Sequence, residues 1–394
     1  MAKWLVSRRY SNASDWGTLA IRLEDIASAY SGEDTFDEVH ALLLAKVAHE
    51  YELLPYDDFL PSSGRVGRIS EWLAAAQQSW PGLHTTYMCR LPEAALIACD
   101  TLLGSTRITD EENSGLDAVF EYLTTRAAKG SKGQFFTPRH VVQHMLHVLM
   151  PGAGEYVLDP ACGSGAFLAQ AKRYAPRSHI QGADLSPRAV RVCRTALVPG
   201  GTVSDAITCM DSLDKKTALP EAWRAGIDVI VTNPPFAGAV SKVHAEGYTL
   251  HHGNRRIERD VLFIERCVEL LKPGGRIGII VPHNKVGSQR YADVRSWLLR
   301  YLKLFAVVSL PKHTFAPHTS QRAVIIYGQK RPSPLIQPKK NESILFFVST
   351  ADAKLANGRL RKSSDTGQVQ HDLNEATESI RTHIETCVGT RIWG

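Results

Sequence analysis

The stretch "VLDPACGSGAFLAQA", residues 157–171, decides the fold class. Val157 and Leu158 lead into Asp159 as a short buried strand does. Gly163 and Gly165 mark a turn, and a helix-forming run follows. Glycine removes Cβ where a chain turns sharply or where a ligand must approach the backbone. Two glycines suit a purely structural turn as well. The third glycine of the dinucleotide fingerprint is missing, and no G-x-x-x-x-G-K-[ST] loop occurs in the chain.

Outward from this unit, apolar runs recur with helical patterns between them. The strand candidates are residues 155–159, 179–184, 228–233, 276–282, 304–310 and 322–328, with one more at 344–348. "RDVLFIERCVELLK" (259–272) reads as a helix stopped by Pro273, Gly274 and Gly275. Strand–helix alternation predicts an α/β fold with a mainly parallel sheet covered on both faces. Ligands of such a sheet sit at the carboxyl ends of its strands.

The front of the chain has another texture. "FDEVHALLLAKVAHEY" spaces Phe36, Val39, Leu43, Val47 and Tyr51 as a helix face, and "GLDAVFEYLTTRAA" does so with Leu116, Val119, Phe120 and Leu123. The predicted organisation is a helical N-terminal domain (1–128), a catalytic α/β domain (129–330), and a linker, possible strand and polar tail (331–394).

Bulk numbers narrow the class. The 394 residues are 44% hydrophobic and 22% charged, the composition of a soluble globular protein. No apolar run reaches the ~18 residues that span a bilayer, and the start lacks a signal-peptide core. A cytoplasmic protein without a membrane partner is expected. The seven cysteines form no Cys-x-x-Cys pair, so neither zinc nor a disulfide framework is expected. His251 and His252 lack the partners a metal site needs. The net charge of +6 permits a polyanionic partner without demanding one.

The acids after the strands sharpen the reading. Asp184, in "GADLSP", ends the strand after the glycine turn, where a carboxylate can accept from ribose hydroxyls. "CMDSL" offers Asp211 as an acceptor for an adenine amino group. Helix capping is the structural alternative for each. Upstream, "GQFFTPRHVVQHMLHVLM" (133–150) has Thr137 as a candidate N-cap and Pro138 as a first helical residue. Downstream, "IVTNPPFAG" ends a buried strand in Asn233, Pro234, Pro235 and Phe236, an amide, two stiff residues and an aromatic ring expected to be exposed.

"GQFFTP", "DPACGSGAF", "GADLSP", "MDSL" and "NPPF", in this order, resemble the amino-methylating DNA methyltransferases. The nearest resemblance is to the modification subunit of type I restriction–modification systems, and it extends to the helical front. It implies the class I S-adenosylmethionine-dependent methyltransferase fold, Rossmann-like and mostly parallel. It also implies S-adenosyl-L-methionine as cofactor. By the resemblance, Phe136 and Thr137 meet the methionine end, and the Asp159–Gly165 loop, with Ala161, Gly163 and Ser164, holds the amino-acid moiety. Asp184 takes the ribose and Asp211 the adenine. Gln134, Phe135, Pro138, Phe167, Leu185 and Ser212 are further cofactor-binding residues by the same resemblance. Asp184 stands where Glu is more usual, and Met210 where Gly is common.

That reading gives the Asn-Pro-Pro-Phe end its chemistry. An exocyclic amine is a poor nucleophile because its lone pair is delocalised into the ring. The Asn233 side-chain oxygen and the Pro234 carbonyl can accept its two hydrogens and aim the lone pair at a methyl sulfonium. Prolines fix φ and hold that carbonyl in place. Phe236 would stack on the base, and the base must first leave the duplex. Arg255, Arg256 and Arg259 are candidate phosphate contacts, or merely a solvated loop. Cys162 lies inside the cofactor loop and is assigned no catalytic role.

The expected activity is transfer of a methyl group to adenine N6 in DNA. Cytosine N4, an RNA base, a protein glutamine amide, or a non-catalytic binding subunit stay open. No segment reads as a target-recognition domain, so a separate specificity subunit is an expected partner.

Overall fold

The computed structural model describes residues 16–31, 35–80, 83, 90–104, 106–109, 119, 137–201, 204–236, 238, 240–241, 245–250, 258–316, 319–356, 360–364 and 367–388. The chain forms two compact units. One comprises Met1–Lys129 with Arg194–Asp205, and the other Gly130–Cys193 with Ala206–Gly394.

The first unit is helical among its described residues: α1 (Trp16–Ser31), α2 (Phe36–Glu50), α3 (Arg65–Ser79) and α4 (Glu93–Leu103). The sequence predicts one apolar stripe on α2. The structure buries α2 nearly all round, because α1 and α3 both pack on it. Leu42, Leu44 and Ala45 are covered along with Val39, Leu43 and Val47, while Tyr51 lies beyond the helix and is exposed. The segment 115–128 lies outside the described residues except for Val119, which is fully buried.

The second unit is built on an eight-stranded sheet of order β3-β2-β1-β4-β5-β7-β6-β8. Its strands are β1 (Tyr156–Asp159), β2 (His179–Asp184), β3 (Ile207–Cys209), β4 (Ile227–Thr232), β5 (Leu271–Pro282), β6 (Leu302–Ser309), β7 (Ala323–Lys330) and β8 (Leu345–Val348). All neighbours pair in parallel except β7, which runs antiparallel between β5 and β6. The longer helices of this unit are α5 (Arg139–Leu149), α6 (Ala166–Tyr174), α7 (Pro187–Leu197, of which the residues up to Cys193 belong to it), α8 (Arg259–Leu270), α9 (Ala292–Tyr301) and α10 (Leu373–His383).

β4 is buried throughout, as the apolar run Val229, Ile230, Val231 requires of a strand covered on both faces. On one face Leu158, Ile230, Ile277, Ile279 and Ile326 pack with Val261, Ile264 and Val268 of α8 and with Leu298 of α9. On the other, α5 lies so close that a Cβ on Gly278 would stand 3.1 Å from Leu149. Arg276 of β5, buried, holds the end of this helix by donating to the Leu149 carbonyl at 2.8 Å and to Glu155 at 2.7 Å.

Residues 331–394, expected as linker and tail, fall within this second unit. β8 extends the sheet beside β6, and α10 packs on α5. His144 Nδ1 meets Thr377 Oγ1 at 2.7 Å, and the rings of His140 and His371 stack at 5.1 Å. The polar stretch thus covers a helix of the second unit.

The strand order decides where a ligand can sit. From β1 the chain winds outward through β2 and β3, then returns to the other side of β1 with β4. That reversal leaves a crevice beyond the carboxyl ends of β1 and β4. Val157 and Leu158 pair with Val229 and Ile230, so Asp159 comes level with Val231 and one residue short of Thr232.

Candidate active site

The β1 end supplies the first half of the site. Gly163 has φ +52 and Gly165 φ +88, both in the left-handed region that favours glycine. A Cβ on Gly163 would meet nothing within 4 Å, so that position faces open space. A Cβ on Gly165 would stand 2.6 Å from Cys193 Sγ of α7, so this glycine serves helix packing.

Two buried carboxylates tie the turn together. Asp159, 1% exposed, accepts through Oδ1 from the Ala161 N–H at 3.0 Å and the Thr232 hydroxyl at 2.6 Å. Burial pushes its carboxyl up to about 7, although those two hydrogen bonds pull the other way. Asp184 accepts from the Gly163 N–H at 3.0 Å and the Ser186 N–H at 2.8 Å. Burial raises its carboxyl above the usual range against those bonds. Leu185, beside it, is 61% exposed, an apolar side chain left open at the end of β2.

Asp211 accepts from the Leu213 N–H at 3.0 Å, a turn that holds the carboxylate at the end of β3. Ser212 is buried, and its hydroxyl donates to the Pro160 carbonyl at 2.7 Å. Its own carbonyl accepts from Arg266 Nε of α8 at 2.7 Å. Ser212 therefore braces the glycine turn from below. Phe167 and Ser164 are buried as well, and Ala161 packs on a cluster with Leu213, Tyr248 and Phe263.

The β4 end supplies the second half. Asn233 Nδ2 donates to Thr137 Oγ1 at 2.9 Å, which turns the amide oxygen away from Thr137. Two sequence expectations change here. Pro138, not Thr137, is the N-cap of α5, and the Thr137 side chain caps nothing in that helix. Phe236 is buried rather than exposed, because Phe315 covers it edge to face at 5.9 Å and 83°. Arg259 opens α8, donates its N–H to the Gly238 carbonyl at 3.2 Å, and lays its guanidinium beside Gly238, two residues past the motif. Gln134, Phe135, Phe136, His251, His252, Arg255 and Arg256 lie outside the described residues.

Several site-building residues carry no sequence signal. Phe315 sits 79 positions beyond its partner Phe236 and follows no motif of the set. Lys285, nearly fully buried after β5, pairs with Glu258 and with Asp260 (3.2 Å) at the start of α8, and lies 4.0 Å over the Tyr291 ring. Burial pushes the Asp260 carboxyl up to about 6 despite Lys285. This ion cluster pins the start of α8, and Arg259 with it, to the sheet. Among the described residues, no three His, Cys, Asp or Glu side chains converge as a metal site, and no helix is long and apolar enough to cross a membrane.

Asp159, Asp184 and Asp211 thus bring three carboxylates to the ends of β1, β2 and β3. The doubly wound sheet with an antiparallel β7 and two motif loops at its switch point is the class I methyltransferase fold. The model of the N-6 DNA methylase family matches residues 112–377, and the chain belongs to that family. The type I restriction enzyme EcoEI methylase subunit of Escherichia coli is 28% identical over 229 residues, covering 54% of this chain and 46% of that protein. The EcoKI methylase subunit of Escherichia coli K12 is 28% identical over 207 residues, covering 48% and 38%. The matched segment thus spans less than half of either relative. The methyltransferase subunit of a type I restriction-modification system from Streptococcus thermophilus shares the fold, with a TM-score of 0.63 at 15% identity over 94% of this chain and 93% of that one.

Proposed function

We propose that this chain transfers a methyl group from S-adenosyl-L-methionine to the N6 amino group of a flipped-out adenine in DNA, as a modification subunit that works with a separate specificity subunit. One observation carries the reading. The glycine turn after β1 and the Asn-Pro-Pro-Phe motif after β4 follow the ends of neighbouring strands, joined by the Thr232–Asp159 hydrogen bond at 2.6 Å. Family membership supports the chemistry, and the relatives named as methylase subunits of type I enzymes support the subunit role.

The residues present fit the cofactor. Asp159 suits its ammonium group, Asp184 its ribose and Asp211 its adenine amine. The open space beside Gly163 and the exposed Leu185 leave room and apolar cover. When bound, the cofactor supplies a methyl group on a positive sulfur.

The protein's part is orientation. Thr137 holds the Asn233 amide nitrogen, which directs the amide oxygen to one hydrogen of the adenine amine. The Pro234 carbonyl, fixed by the Pro234–Pro235 backbone, accepts the other. With both hydrogens engaged, the nitrogen lone pair leaves conjugation and points at the methyl group. Phe236 carries the stacked base, and Phe315 sets the plane of that ring. Arg259 contacts the phosphate backbone, and the base reaches the site by flipping.

The test is nucleoside mass spectrometry on DNA from cells carrying the gene with its native neighbours, beside an Asn233→Ala control. N6-methyladenine that disappears in the control is the expected result. Unmodified DNA in both strains, from a chain that binds S-adenosylmethionine, overturns the DNA substrate and keeps the cofactor.

A further inference from the structure

We propose that Thr232 is a positioning residue: its hydroxyl ties the end of β4, which carries Asn233, to Asp159 at the head of the cofactor turn, and so sets cofactor and base in register. The proposal rests on the methyltransferase reading above and names the contact that links its two substrates.

Thr232 is fully buried. Its neighbour in sequence is the base-holding Asn233, and its partner in space is Asp159, 73 positions away. Asp159 Oδ1 takes both the Thr232 hydroxyl and the Ala161 N–H, so Oδ2 is the oxygen that meets a ligand ammonium. Asn233 is then fixed from two sides. Thr232 anchors the backbone before it, and Thr137 anchors its side chain at 2.9 Å. Pro234 and Pro235 pass that setting to the next carbonyl, because their φ cannot relax. A shift of Asp159 on cofactor binding reaches Asn233 through one hydrogen bond and one peptide unit.

The hydroxyl has a second consequence. It donates to the ionised form of Asp159, and so lowers the proton affinity of that carboxyl. Its removal moves the titration of Asp159 upward from about 7. The other titratable groups around Asp159 are Asp184 at the end of β2, Cys162 in the same turn and Cys267 of α8. A bond to Cys193 together with burial lifts the Cys162 thiol, and burial lifts that of Cys267, so both stay neutral where Asp159 titrates. Asp184 keeps its own hydrogen bonds from Gly163 and Ser186 in every variant.

The experiment compares wild type, Thr232→Val and Thr232→Ser in the full chain. S-adenosylmethionine binding is measured by calorimetry across pH, and methyl transfer to DNA is measured with the partner present. Valine keeps the shape and removes the donor; serine restores it. The expected result is cofactor binding weakened at least about tenfold in the valine variant, the size of a hydrogen bond to a charged group. Its pH midpoint rises, kcat falls with KM for DNA unchanged, and serine recovers both. Wild-type affinity and midpoint in Thr232→Val overturn the proposal and leave the methyltransferase reading standing. A wild-type chain that binds no S-adenosylmethionine overturns both. If valine disrupts β4, Thr232→Ala against Thr232→Ser gives the same comparison, and an alanine variant with wild-type binding overturns the proposal.

Discussion

Asp159 is held by its surroundings in a state that its ligand should reverse. Its folded carboxyl titrates at about 7 because of burial, against about 3.9 in an unfolded chain. The folded protein therefore binds that proton more tightly. The resulting stability is fully present below about pH 4 and is lost as pH rises through about 7. A cationic ammonium at Oδ2 favours the ionised carboxylate instead. S-adenosylmethionine affinity should thus climb with pH up to about 7 and level off above it. Calorimetry across this range checks it, and in Asp159→Asn the profile should be flat and weak. An equally steep climb in the asparagine variant would assign the titration elsewhere.

At the scale of elements, two contacts are open to substitution. The first is α6 against α7. Gly165→Ala would place a Cβ 2.6 Å from Cys193 Sγ at a φ of +88. Overpacking and left-handed strain together should cost about 2–4 kcal/mol. Cys193→Ala in the same chain should recover only part, since it relieves the contact and leaves the φ. Denaturant unfolding of the three variants measures this. The second is α5 against α10. Burial pushes His144 and His140 down to about 3, so both are neutral when folded. A histidine lowered in this way contributes stability above its unfolded value near 6.5, and the contribution is lost as pH falls from there toward 3. Wild type should therefore lose its advantage over His144→Gln between these limits. The difference between the two isolates His144 from Asp159, whose contribution runs the other way.

At the scale of the whole molecule, the net charge of +6 is modest, so DNA affinity should come from a local set of cations rather than a global field. Arg259, whose guanidinium lies beside Gly238, is the proposed member of that set. Arg259→Ala should weaken DNA binding for all sequences alike and reduce the slope of log affinity against log salt by about one. A salt titration by fluorescence anisotropy measures it, and an unchanged slope removes Arg259 from the interface. The proposed partner belongs to this scale too. The isolated chain should bind DNA with little sequence preference, and selective methylation should appear only when the specificity subunit is added. High selectivity by the chain alone in a gel shift would remove the need for that partner.

The linear sequence determined the alternation of strands and helices, the glycine turn, and the order of Asp159, Asp184, Asp211 and Asn233 along the chain. Each of these is a local pattern, written in periodicity or in neighbouring residues, and the family resemblance rests on the same short runs. Only the tertiary structure decided which patterns meet. The pairing of β1 with β4 brings Asp159 to Thr232, and the packing of α5 brings Thr137 to Asn233, across 73 and 96 positions. The same packing turned Thr137 from a helix cap into a partner of the amide. It covered Phe236 with Phe315 and buried Lys285 against Glu258 and Asp260. A hydrogen bond between distant segments has no period and no spacing of its own. It exists because the sheet reverses its winding between β1 and β4, and that reversal is a property of the assembled sheet.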